Sequence, residues 1–193
     1  MIAIINYEAG NLKSVKNALD SVGVKSVITD KPTDILKAEK VILPGDGSFG
    51  YMMENLKKKE LVNPIKDFIK SDKPFLGICL GLQGLFEESE ESPNVKGLSI
   101  FKGRVVKFKK GKVPQIGWNK IISKKKSIFK NEFMYFVNSY YVVPEDGSII
   151  AAMTDYNGNF VSAIQSDNVT AMQFHPEKSG KAGINLIRRW LKC

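Results

Sequence analysis

Three observations predict an α/β fold. Short apolar strands alternate with amphipathic helices through the first half, closely spaced strands take over from Gly97, and one amphipathic helix ends the chain. Strands alternating with helices at this spacing argue for βαβ units and a mostly parallel central sheet flanked by helices. The later strands, separated by tight turns, read as an antiparallel extension. No internal repeat and no long linker divides the sequence, so the expectation is a single flavodoxin-like domain over residues 1–193.

Each element follows from local pattern. Residues 2–6 form an apolar run that ends at Glu8-Ala9-Gly10, and Asn11 can cap a helix whose apolar positions are Leu12, Val15, Ala18, Leu19 and Val22. A strand over 24–28, a helical turn over 32–38 and a strand over 40–43 follow. Helical pattern occupies 51–56 and 61–69, and a fourth strand over 74–78 runs into Cys79 and a helix expected over 80–88. In the second half the strands are 100–108, 117–122, 134–143, 149–154, 160–165 and 170–174. Tyr156-Asn157-Gly158 gives a hairpin signal between two of them. Residues 180–192 form the last helix, with Ile184, Ile187, Trp190 and Leu191 on its apolar side.

Composition narrows the class. The 193 residues are 43% hydrophobic and 25% charged, ordinary for a soluble globular chain that needs no disulfide or metal staple. No apolar run reaches the ~18 residues of a membrane span, and the first residues carry no signal-peptide pattern. The expected location is cytoplasmic. The net charge of +9 is spread over Lys57–Lys59, residues 107–112 and Lys124–Lys126 with no nucleic-acid-binding signature beside it. Solvated faces or docking to an acidic protein account for it better than nucleic acid does. The two cysteines, Cys79 and Cys193, fit neither a disulfide framework nor a metal-ligand spacing, so no metal and no cofactor is expected. His175 is the only histidine, and any step that needs imidazole must use it.

Gly77-Ile78-Cys79-Leu80-Gly81 is the sharpest feature. An apolar strand feeds a small-residue turn that opens a helix, the arrangement of a nucleophile elbow. A cysteine at its apex sits where peptide dipoles favour the thiolate, and the Leu80 N–H faces a developing oxyanion. The competing reading is a buried structural cysteine. His175 follows an expected strand at the sheet end where α/β folds place their sites. It can take a thiol proton and return it to a leaving amine, and Glu177 can orient it. The competing reading is a histidine that only stops a strand. Gly45-Asp46-Gly47-Ser48-Phe49-Gly50 matches a dinucleotide fingerprint, but it follows the third strand and lacks the acidic partner residue. A loop that brings backbone N–H groups to a reacting carbonyl, or a plain turn, suits it better. The aromatics Trp118, Tyr135, Phe136, Tyr140 and Tyr141 read by default as core.

The segments Gly-Ile-Cys-Leu-Gly-Leu-Gln (77–83) and Phe-His-Pro-Glu-Lys-Ser (174–179) resemble the class I, triad-type glutamine amidotransferases. Gly-Asn-Leu-Lys-Ser-Val (10–15), Pro-Gln-Ile-Gly-Trp-Asn (114–119) and Tyr-Phe-Val-Asn-Ser-Tyr-Tyr (135–141) resemble one branch, the glutaminase subunits of imidazole glycerol phosphate synthase. The resemblance covers essentially the whole sequence. It implies that Cys79 attacks the side-chain amide of glutamine with His175 as base and acid and Glu177 behind it. The oxyanion would rest on backbone N–H groups of Leu80 and of the Gly45, Asp46 and Gly47 loop. By position, Gly47, Gln83, Glu91, Ser139 and Tyr140 match family residues that recognise glutamine. Asn11, Trp118 and Lys178 match positions facing a (β/α)8-barrel cyclase subunit, the partner in a heterodimer, which receives the ammonia.

Two positions depart from the family. Asn138 and Gln115 stand where many members have His; both can hydrogen-bond, and neither can titrate. Other readings are a paralogous glutaminase serving a different acceptor, a partner-binding relative without catalysis, and a free-standing cysteine hydrolase. Because unregulated hydrolysis would waste glutamine, the glutaminase is expected to respond to the liganded cyclase.

Overall fold

A computed structural model describes residues 1–8, 11–124 and 126–193. The predicted turn at Ala9-Gly10 and Lys125 of the 124–126 cluster lie outside the described residues. In the first half the order is β1 (Ile2–Ile5), α1 (Leu12–Asp20), β2 (Ser26–Thr29), α2 (Pro32–Lys37), β3 (Lys40–Leu43), α3 (Phe49–Lys58), α4 (Val62–Lys70), β4 (Phe75–Ile78) and α5 (Leu80–Gln83). The second half holds β5 (Glu88–Ser89), β6 (Gly103–Lys107), β7 (Gln115–Lys120), β8 (Ile122–Ser123), β9 (Phe133–Asn138), β10 (Tyr140–Pro144), β11 (Ile150–Asp155), β12 (Asn159–Ser166), β13 (Val169–Met172) and α6 (Gly180–Leu191).

The sheet bears out the expected class. Strands β2-β1-β3-β4-β13 run parallel in that order, and β12, β10 and β6 continue the sheet antiparallel. Every residue of β1, β4 and β13 is buried, which is why these strands read as unbroken apolar runs. Alternation along them still divides the core in two. Ala3, Ile5, Val41, Leu43 and Phe75 pack with Phe49, Met52, Leu56, Ile65 and Phe68 of α3 and α4. Ile2, Ile4, Ile42, Leu76 and Ile78 pack with Val15 and Leu19 of α1 and with Leu186, Ile187 and Trp190 of α6. Asn11 caps α1 as expected, its side chain accepting from the Ser14 N–H at 3.3 Å.

Three expectations are corrected. The helix predicted over 80–88 ends at Gln83. The carbonyls that would extend it are taken from across the chain: Gly84 by the Leu98 N–H, Leu85 by Ile100 and Phe101, and Glu87 by Gly97. The same bonds shorten the strand predicted over 100–108 to Gly103–Lys107. The strand predicted over 134–143 divides at Ser139, so that β9 pairs only with β7 in a separate two-stranded sheet while β10 joins the main one.

The β7–β9 pair also corrects the reading of Trp118 and Tyr135 as core, while Phe136 is core as expected. Ile116 faces Val137, Trp118 faces Tyr135 and Lys120 faces Phe133, and directly opposite residues share a face. That face looks outward: Trp118 is 55% exposed, and Ile116, Phe133 and Val137 are exposed with it. Met134, Phe136 and Asn138 point inward and are buried.

Candidate active site

The site forms at the C-terminal ends of β3, β4 and β13, where a parallel sheet opens its crevice. Cys79 follows β4 directly and takes φ 54°, ψ −108°, a conformation that side-chain-bearing residues rarely adopt. Its N–H donates to the Met172 carbonyl at 2.7 Å, which ties the turn to β13. Glycines make room for this turn. A Cβ on Gly81 would collide with the Leu43 carbonyl oxygen, and one on Gly45 with Leu80. On Gly77 it would stand 2.9 Å from the Gly81 carbonyl oxygen. The fingerprint-like loop is thus pressed backbone to backbone against the elbow.

His175 arrives from β13, and its N–H donates to the Tyr135 carbonyl at 2.9 Å. Its Nδ1 lies 2.8 Å from Glu177 Oε1, with both side chains almost completely buried. That contact leaves Nε2 as the ring nitrogen available to Cys79. Burial pushes the imidazole down, but the charge and hydrogen bond of Cys79, with those of Glu177, outweigh it and hold His175 at about 10. The His175–Glu177 pair therefore stands with Cys79 as expected, and the charged form of the ring is the favoured one. Ser179 braces the turn, its hydroxyl donating to the His175 carbonyl at 2.6 Å and accepting from the Tyr135 N–H at 2.9 Å.

The donors expected for an oxyanion are unequal. As the first residue of α5, Leu80 has an N–H with no intrahelical acceptor. The Asp46 N–H donates to the Tyr7 hydroxyl at 3.3 Å, and the Gly47 N–H to Asp46 Oδ1 at 3.0 Å. Tyr7 is fully buried, and that burial pushes its phenol up.

The residues expected to recognise glutamine surround this centre. Gln83 is buried, its amide donating to the Tyr140 carbonyl at 3.2 Å and to Gln173 Oε1 at 3.1 Å. Tyr140 is half-buried; burial, then the charges of Glu91 and Glu90, push its phenol up. Glu91 Oε2 accepts from the Phe49 N–H at 2.7 Å and so caps α3 in place of Ser48. The carbonyl of half-buried Ser139 accepts from the Phe108 N–H, and Gly47 is exposed at φ 95°.

Asn11, Trp118 and Lys178 stand off the reacting centre but on its rim. Lys178 ends the 3-10 turn Pro176–Lys178 that carries Glu177, α1 packs against that turn, and a Cβ on Gly180 would lie 3.9 Å from Trp118. Reading the sequence missed Gln173, whose Nε2 lies 3.5 Å from Cys79 Sγ, and the Val137 carbonyl, 3.8 Å from the same sulfur. The available signal for Gln173 was a polar residue inside a strand-like apolar run.

Comparison with known proteins gives this geometry a family. The model described as "Glutamine amidotransferase class-I" matches residues 3–192. Proteins named imidazole glycerol phosphate synthase subunit HisH are 49% identical in Pyrococcus furiosus, 46% in Syntrophotalea carbinolica and 47% in Aquifex aeolicus. These matches cover 97–98% of this chain and 94–98% of the relatives. Among solved structures, one titled as a glutamine amidotransferase superposes with a TM-score of 0.82 at 15% identity, covering 100% of this chain and 98% of that one. At that identity the likeness speaks for the fold alone. With relatives at nearly half identity along its whole length, the chain belongs to the class-I glutamine amidotransferase family, among the HisH subunits of imidazole glycerol phosphate synthase.

Proposed function

We propose that this protein hydrolyses glutamine to glutamate and ammonia and delivers the ammonia to a (β/α)8-barrel cyclase subunit in histidine biosynthesis. The observation that carries the reading is the strained Cys79 turn set against a His175 held by Glu177. With the thiol proton already resting on His175, the Cys79 sulfur attacks the amide carbon as a thiolate, and the Leu80 N–H receives the oxyanion. Release of the Asp46 N–H from Tyr7 would add a second donor. His175 then gives its proton to the amide nitrogen, which leaves as ammonia, and water, activated by the now neutral ring, hydrolyses the glutamyl thioester. The lyase step belongs to the cyclase subunit.

The partner surface in this reading is the outer face of β7–β9 with the neighbouring rim. An apolar face open to solvent marks an interaction site, and Trp118 lies on it near the Lys178 turn. Among the described residues no helix is long and apolar enough to cross a membrane. The test is glutamate release by the protein alone and then with the cyclase and its ribotide substrate, with Cys79→Ala as the blank. Strong stimulation absent from the blank is expected; a rate at the blank's level in every mixture would overturn the reading.

A further inference from the structure

Gln173 lies between β13 and His175 and is completely buried, yet the reaction as described does not use it. Its surroundings fix the direction of its amide. The Tyr140 carbonyl can only accept, so the Gln83 atom facing it at 3.2 Å is the NH2 group. That same NH2 group faces Gln173 at 3.1 Å, so the Gln173 atom opposite it is the oxygen. The other end of the Gln173 amide, an NH2 donor, is then left pointing at Cys79 Sγ at 3.5 Å. The orientation is set from a backbone carbonyl inward and does not depend on the protonation of the sulfur.

Besides His175, the sulfur thus has two neighbours of opposite preference. The Val137 carbonyl at 3.8 Å can only accept, which favours the protonated thiol. The Gln173 amide can only donate to it, which favours the thiolate. We infer that Gln173 is a positioning residue for the nucleophile: it holds Cys79 Sγ as a hydrogen-bond acceptor against the pull of the Val137 carbonyl, with Gln83 and the Tyr140 backbone setting its direction. The inference rests on the reading of Cys79 as the glutaminase nucleophile. It gives Gln83 a structural duty as well, since its amide hydrogens are engaged within the protein.

The test uses the full chain with Cys193→Ser, so that Cys79 is the only thiol, and follows its alkylation by iodoacetamide against pH. Gln173→Glu keeps the shape and still accepts from Gln83, but turns an oxygen toward the sulfur. Gln173→Met keeps the length and removes the donor. At pH 7 alkylation is expected to fall about tenfold with Met and further with Glu, recovering as the pH is raised, the size expected for a lost hydrogen bond to a charged group. With the cyclase present, kcat is expected to fall by a similar factor while KM for glutamine moves less than about twofold. If both variants keep the folded circular-dichroism spectrum and the parent's alkylation profile, the inference is wrong. If neither folds, Gln83→Met breaks the same chain one residue farther out. It should displace the profile in the same direction, and an unchanged profile there overturns the inference equally. A parent that alkylates readily but never releases glutamate overturns the functional reading instead, and the variants still report on the sulfur.

Discussion

The sulfur of Cys79 is approached from two regions built on different principles. On one side are β4 and β13, adjacent parallel strands buried on both faces, whose register sets Ile78 beside Met172 and so Cys79 beside the segment leading to His175. On the other side is β7–β9, a sheet of two strands, a size that is marginal on its own. It reaches the site through β9, with the Val137 carbonyl on the sulfur and the Tyr135 backbone on His175 and Ser179. Its outer face shows Ile116, Trp118 and Phe133 to solvent. In the proposed function the chemistry is carried by the region that cannot move without opening the core, and contact with the cyclase falls to a thin layer one hydrogen bond away from it.

That contrast can be broken most forcefully at the sulfur. Cys79→Ala is expected to reduce glutamate release by at least about a thousandfold, measured with the cyclase present. A smaller loss would mean that another group performs the attack. The packing of the parallel region can be broken as well. Gly81→Ala sets a methyl against the Leu43 carbonyl and is expected to cost roughly 2–4 kcal/mol in thermal or denaturant unfolding. The two tryptophans then separate the regions directly. Trp190, 1% exposed in the core under α6, should lose about 3–5 kcal/mol of stability on replacement by Ala. Trp118→Ala should lose less than about 1 kcal/mol and show its effect in cyclase binding instead. Equal losses from both would erase the distinction. The smallest effect concerns the net charge of +9, which is expected to assist docking. Raising the salt from about 0.05 to 0.5 M should weaken association with the cyclase, since the screening length shortens severalfold.

How much of this was legible in the sequence follows the same division. The parallel strands announced themselves because burial on both faces leaves unbroken apolar runs. The elbow and the His175–Glu177 pair were readable because each is local: Gly77, Cys79 and Gly81 lie within one turn, and the carboxylate is two residues from the ring. What escaped depends on partners far along the chain. Gln173 meets Gln83 across 90 residues and Cys79 across 94. The end of α5 is decided by residues 97–101, and the break at Ser139 by which sheet each half of the segment joins. Trp118 read as core because an aromatic in a strand normally is; which side of a two-stranded sheet meets solvent is a tertiary fact.

The central claim is that Cys79 and His175, delivered by neighbouring strands, work as one coupled pair, and the chain's single histidine makes this directly measurable. The Cε1–H resonance of His175 can be followed against pH without overlap from any other histidine. It is expected to titrate near 10 in the wild type and at lower pH in Cys79→Ala, where burial acts with only Glu177 to oppose it. Because the folded value lies above the 6.5 of the unfolded chain, the stability contributed by the pair is present in full below pH 6.5. It is lost as the pH rises through about 10, and an unfolding series should show this decline in the wild type more than in Cys79→Ala. A resonance that titrates at the same pH with and without the sulfur would contradict the pairing on which the account rests.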